Sequence, residues 1–157
     1  MVHRTARVGL RVTPAQRRRC FGLLASAGDV WACTLDLARW RRQAGRRPLA
    51  GYQDLCRELA LAGPGTFGEL DSTGARSVLR RYSDAWFTAA RRRKNGTTTV
   101  RYPRRKRRLV PVRYYHGTFT LDGRRLRLPV ARGCPPLWVR LDREPRIRPG
   151  RSGRSRC

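Results

Sequence analysis

Hydrophobic positions along this chain repeat with two different periods. From Arg7 to Val12 they alternate, with Val8, Leu10 and Val12 on one side and Arg7, Gly9 and Arg11 on the other, which predicts a half-buried strand. Thr13-Pro14-Ala15-Gln16 then reads as a helix start: Thr13 caps, Pro14 fits the first helical position, and Gln16 stands where a capping-box partner reaches back. A first helix is expected from Pro14 to Ser26, stopping at Gly28. Asp29 would cap a second, whose apolar face combines Val30, Cys33 and Leu37 with Trp31, Leu35 and Ala38 before Gly45 ends it. Two helices about a Gly-containing turn have helix-turn-helix-like spacing, although any helical hairpin has the same pattern. Tyr52, Leu55, Cys56 and Leu59 suggest a short third helix closed by Gly63-Pro64-Gly65. Ala75, Val78, Leu79, Tyr82, Ala85, Trp86 and Ala89 keep helical spacing for about five turns.

Past Ala90 the period becomes two. Val110, Val112 and Tyr114, then Phe119 and Leu121, then Leu126 and Leu128, and finally Leu137, Val139 and Leu141 predict short strands, with Asp122-Gly123 as a hairpin turn. One strand before the helices and several after them predict an α+β fold, a small β-barrel interrupted by a helical insertion. The expected divisions are residues 1–13 as first barrel strand, 14–95 as helical insertion with the helix-turn-helix-like start over 14–44, 96–144 as basic segment and remaining strands, and 145–157 as a basic tail. That tail is Arg, Gly, Pro and Ser with Ile147 as its one apolar residue, a composition expected to be disordered.

Charge narrows the function. Among 157 residues, 37 Lys and Arg face 10 Asp and Glu, a net +27 that repels itself unless a polyanion neutralises it. Nucleic acid is the natural polyanion. Lys occurs only at Lys94 and Lys106; the other cations are Arg, whose planar guanidinium suits bidentate phosphate contacts and stacking on bases. They concentrate at Arg91, Arg92, Arg93 and Lys94, before the Asn95-Gly96 turn, and at Arg101, Arg104, Arg105, Lys106, Arg107 and Arg108 around Tyr102-Pro103. No acid falls between Asp84 and Asp122, which argues against a merely solvated charge run. Tyr102, Tyr114 and Tyr115 are candidates for stacking on bases or for bracing the segment. Anionic membrane is the weaker rival, because the basic residues do not lie along one amphipathic helix and no long uninterrupted apolar run or signal-like N-terminus is seen. A cytoplasmic, bacterial-type protein without membrane contact is expected. Five cysteines with no C-x-x-C pair and only His3 and His116 suggest neither a disulfide framework nor a metal site, and no cofactor is expected.

Several pieces in this order resemble one family. Leu10-Arg11-Val12-Thr13-Pro14-Ala15-Gln16, then Val78 to Phe87 with its Y-x-x-x-W-F, then Gly96 to Arg108 with Y-P-R-R-K-R, and Leu126-Arg127-Leu128-Pro129 are similar to the N-terminal part of the TnpB proteins of insertion sequences. The resemblance spans about Arg7 to Arg143, and its specificity lies in order and spacing rather than in any single piece. It implies an oligonucleotide-binding-like wedge barrel with a helical recognition insertion, holding guide RNA and target DNA for an RNA-guided endonuclease related to type V CRISPR effectors. The family is often described as transposases.

The RuvC-like carboxylates and Cys-rich finger of that family have no counterpart in the sequence. Two-metal hydrolysis needs carboxylates that hold both cations, and Asp142 and Glu144 stand among Arg140, Arg143 and Arg146 without a G-x-D-x-G motif. The expectation is therefore a nucleic-acid-binding, truncated TnpB-like protein with no nuclease of its own. The alternatives are the recognition half of a split nuclease, whose partner is a separately encoded catalytic domain, and a decayed insertion-sequence product with no selected function.

Overall fold

A computed structural model describes residues 7–105, 108–115 and 117–145. In chain order the elements are β1 (Leu10–Arg11), α1 (Pro14–Gln43), α2 (Tyr52–Ala62), α3 (Ser72–Lys94), β2 (Thr120–Asp122), β3 (Arg125–Leu128) and β4 (Leu137–Leu141). The fold is α+β: three helices and one antiparallel sheet, open among the described residues, in the order β1-β4-β3-β2.

The capping box forms as its residues require. The Gln16 amide donates to the Thr13 hydroxyl at 3.2 Å, and the Thr13 amide donates to the Gln16 side-chain oxygen at 2.9 Å. The same Gln16 donates through Nε2 to the Trp138 carbonyl at 2.7 Å, which seats the start of α1 on β4.

The expected break after Ser26 does not occur. α1 runs unbroken for 30 residues, so the helix-turn-helix-like start predicted over 14–44 is a single helix with Asp29 exposed near its middle. Gly28 is there for a different reason. A Cβ built on it would stand 2.0 Å from the Arg108 carbonyl oxygen, so only glycine lets the later chain lie this close to the helix. By length and composition alone α1 is apolar enough to cross a membrane. Its residues Leu23, Ala27, Val30 and Trp31 are nevertheless buried in the core, where Trp31 meets Tyr82 of α3 edge-on with ring centres 5.3 Å apart.

α2 and α3 lie where the 3.6-residue spacing puts them. Asp71 caps α3 by accepting from the Thr73 and Gly74 amides at 3.1 and 3.0 Å. Cations fill the last turns of both α1 and α3, where they offset the helix dipoles.

The strand before the helices pairs with the last strand after them, Leu10 opposite Leu141, and the Asp142 amide donates to the Gly9 carbonyl at 2.9 Å. Leu10, expected on the buried side with Val8 and Val12, is 46% exposed at this edge of the sheet, whereas Val12 packs against the core. The β2–β3 hairpin turns through Gly123-Arg124, with positive φ at Gly123 alone, as a type II′ turn requires.

The segment around Val110, Val112 and Tyr114 is the second departure, since it joins no strand ladder. The Val110 amide instead donates to the Leu24 carbonyl of α1 at 3.0 Å, and the Arg113 amide to the Ser77 hydroxyl of α3 at 3.2 Å. Val110 is buried and Val112 and Tyr114 are half-buried, with exposed residues between them. The alternation is real, but it comes from lying in a groove between two helices.

Candidate nucleic-acid interface

After α3 the chain turns at Asn95-Gly96, with Gly96 at φ +88°, and doubles back as an extended strap. Its path is fixed by a series of contacts. Arg93 Nε donates to the Val100 carbonyl at 2.9 Å, and Tyr102 packs on Trp86 with ring centres 5.2 Å apart. Trp31 Nε1 donates to the Arg104 carbonyl at 3.0 Å, the Arg108 carbonyl lies against Gly28, and Val110 is bonded to Leu24. Further on, Arg81 Nη1 donates to the Pro111 carbonyl at 2.6 Å, ahead of the Ser77 contact. The strap thus descends both helices together, from Trp31 to Leu24 on α1 and from Trp86 to Ser77 on α3. The two helices therefore run in the same direction, and their basic C-terminal turns face the same side of the molecule.

This anchoring decides where the charges go. Backbone carbonyls at Arg104 and Arg108 point at the helices, so Arg101, Arg104, Arg105 and Arg108 are exposed. A hollow of about 770 Å³ lies beside them, lined by Trp31, Tyr102, Pro103 and Leu109 together with three of these arginines. The ion pairs among the described residues are Arg19–Glu69, Arg39–Asp36 and Arg57–Asp54, and none of them involves a described cation of the strap or of the end of α3. Arg91, Arg92 and Lys94 are exposed there as well. Arg93 differs: besides its bond to Val100, its guanidinium lies 5.3 Å from the Tyr102 ring centre, which makes it a brace for the strap. Lys106 and Arg107 lie outside the described residues.

The three tyrosines separate into different roles. Tyr102 is half-buried between Trp86 and Arg93 and holds the strap to α3. Tyr115 is 57% exposed and open to a stacking partner. Tyr114 is turned inward: its hydroxyl is buried with no hydrogen-bond partner among the described residues. Burial pushes its pKa well above the ordinary tyrosine value, with Asp71 and then Cys20 adding to the rise. It is unsuited to stacking on a base.

Sequence reasoning missed a second concentration of charge, on the outer face of the sheet. Strand register places Arg140 directly opposite Arg11 on one side and Arg125 on the other. Nothing in the linear sequence brings these residues together; only strand pairing does. The ends of α1 were missed too, although Arg39, Arg41, Arg42, Arg46 and Arg47 form a visible run around the 58%-exposed Trp40.

No protein-family model matches the chain, and no curated protein does so either. Among the described residues, no three His, Cys, Asp or Glu side chains come together as a metal-binding group.

Proposed function

We propose that this chain binds nucleic acid, with the strap over α1 and α3 as its principal phosphate-contacting surface. The observation that carries the reading is the anchoring of the strap's backbone. Trp31, Gly28 and Leu24 fix it from one side, and Arg101, Arg104, Arg105 and Arg108, without an ion pair among the described residues, are exposed on the other. A solvated run of charge needs no such seat. A basic segment held extended loses less freedom when it meets a phosphate backbone, and that favours binding.

The resemblance to TnpB proteins carries the proposal further, to guide RNA and target DNA as ligands, with the sheet as part of an oligonucleotide-binding-like barrel. Two features support it: the pairing of the first strand with the last, across the helices, and the basic strap between them. The role proposed for this chain is binding, without nuclease chemistry of its own.

The test compares the full chain with an Arg101, Arg104, Arg105 and Arg108 to Ala variant by fluorescence anisotropy on labelled RNA and DNA. If each arginine meets one phosphate, affinity near 0.1 M salt falls by roughly 10³ on single strands and several-fold more on duplex. An Arg57→Ala control removes an exposed, already paired cation and leaves binding nearly unchanged. Equal affinity of wild type and strap variant would show that the strap is not the binding surface.

A further inference from the structure

The outer face of the sheet places like charges against one another. Arg11, Arg140 and Arg125 form one row across β1, β4 and β3, each directly opposite the next. Side chains so placed have Cβ atoms about 4.5–5.5 Å apart, and like charges at that distance destabilise a sheet. Asp122 ends the row opposite Arg125, and Asp142 follows Arg140 on the same face; neither forms an ion pair with the row among the described residues. One position along, on the same face, is Trp138, with the Arg125 guanidinium 4.9 Å from its ring centre. The opposite face carries Leu137, Val139 and Leu141 into the core, so the strands could have taken neutral polar residues outside without loss of packing.

Row, tryptophan and the start of α1 enclose a groove of about 710 Å³. Arg124 also lines it, but its guanidinium is occupied, donating to the Leu141 and Asp142 carbonyls. Three arginines without an ion pair among the described residues, and an aromatic ring, line the groove.

We infer that this face is a second nucleic-acid site, for a single strand crossing the sheet perpendicular to its strands. Phosphates meet Arg11 and Arg140, and one unstacked base continues the stack formed by Trp138 and Arg125. Neighbouring strands lie about 4.8 Å apart, so the row spans roughly 10 Å, enough for two or three successive phosphates. A guanidinium placed over an indole leaves its outer face for a base, and splayed bases of single strands stack on aromatic rings and guanidinium planes. A duplex keeps its bases inside and offers phosphates alone. The site rests on the reading of the chain as a nucleic-acid binder but uses residues separate from the strap.

The test measures anisotropy of a labelled oligouridylate of about 12 nucleotides, and of a duplex of the same length, with the full chain. An Arg11→Gln, Arg140→Gln variant is expected to bind the single strand about 25-fold more weakly near 0.1 M salt, with its log–log salt slope reduced by about 1.4. Relief of like-charge contact leaves its melting temperature without nucleic acid unchanged or higher. R125K keeps the charge and loses the planar stack, so single-strand affinity falls at least about fivefold at constant slope while duplex affinity holds. Should the double variant fold poorly, R125K alone decides.

Single-strand binding unaffected by both variants overturns the inference, as does an equal loss on duplex with R125K. Loss in the strap variant alone leaves the strap reading standing and removes this one. Loss in the sheet variants alone does the reverse, and loss in neither removes both.

Discussion

Gly28→Ala sets the close seating of the strap on α1 against ordinary helix propensity. Inside an isolated helix, replacing Gly by Ala stabilises by about 1 kcal/mol. Here the added methyl would stand 2.0 Å from the Arg108 carbonyl oxygen and 3.0 Å from its carbon, both backbone atoms that no rotamer change removes. Overpacking of this kind costs about 1–3 kcal/mol, and loss of the neighbouring Val110–Leu24 hydrogen bond adds roughly 1 kcal/mol. After the propensity gain, net destabilisation is about 1–3 kcal/mol, a fall in melting temperature of roughly 3–10 °C for a chain of this size. The same helix supplies its own control at Gly22, which is exposed and has nothing within 4 Å of a built Cβ. Gly22→Ala is expected to stabilise by about 1 kcal/mol. Thermal and urea unfolding of the two variants measure the difference, and oligonucleotide binding follows. Because Gly28→Ala frees the strap but keeps its charges, affinity falls about tenfold while the salt slope stays. If both glycines gave the same stabilisation on substitution, the close seating of the strap on α1 would be wrong.

Two other substitutions test the packing around the interface. Arg19 donates through Nε to Glu69 at 2.8 and 3.2 Å and through its terminal nitrogens to the carbonyls of Pro135 and Pro136, tying α1 to two loops, so Arg19→Ala is expected to cost about 1.5–3 kcal/mol in urea unfolding. Tyr114→Phe removes a buried hydroxyl that has no partner among the described residues, and is expected to be neutral or to stabilise by up to about 1 kcal/mol. In the wild type the folded-state pKa of Tyr114 is raised, so its contribution is fully present below the unfolded value near 10 and is lost as pH rises through the folded value. Tyr52 and Tyr82 are shifted the same way, so Tyr114→Phe reduces the alkaline loss of stability in a pH series without abolishing it.

What the sequence revealed follows from how local each signal is. The capping box at Thr13, the stripe from Ala75 to Ala89 and the Asp122-Gly123 hairpin depend on neighbours a few residues away, and each appears in its expected place. That the first strand pairs with the strands after the helices was also legible, because period two at both ends leaves few other partners; that its partner is the last of them was not. Gly28 misled because a glycine within a helical pattern reads as a stop until the distant chain at Arg108 is seen lying on it. Val110 to Tyr114 misled because a groove between parallel helices imposes the same alternation as a sheet. The charge of the strap was plain in the sequence, but its anchoring was not, since Trp31 and Leu24 gave no sign of what they hold. The Arg11, Arg140 and Arg125 row is a product of register alone, which no local pattern records.

If an anchored strap of arginines contacts phosphates one by one, the salt dependence of binding shows it most directly. The logarithm of the binding constant is measured against the logarithm of salt concentration for the full chain and for the Arg101, Arg104, Arg105 and Arg108 to Ala variant. The variant's slope is expected to be shallower by about 3.6 on duplex DNA and about 2.8 on single strands, four contacts at the per-phosphate value. Parallel lines for the two proteins, whatever their affinities, would contradict a strap that meets phosphates through these arginines.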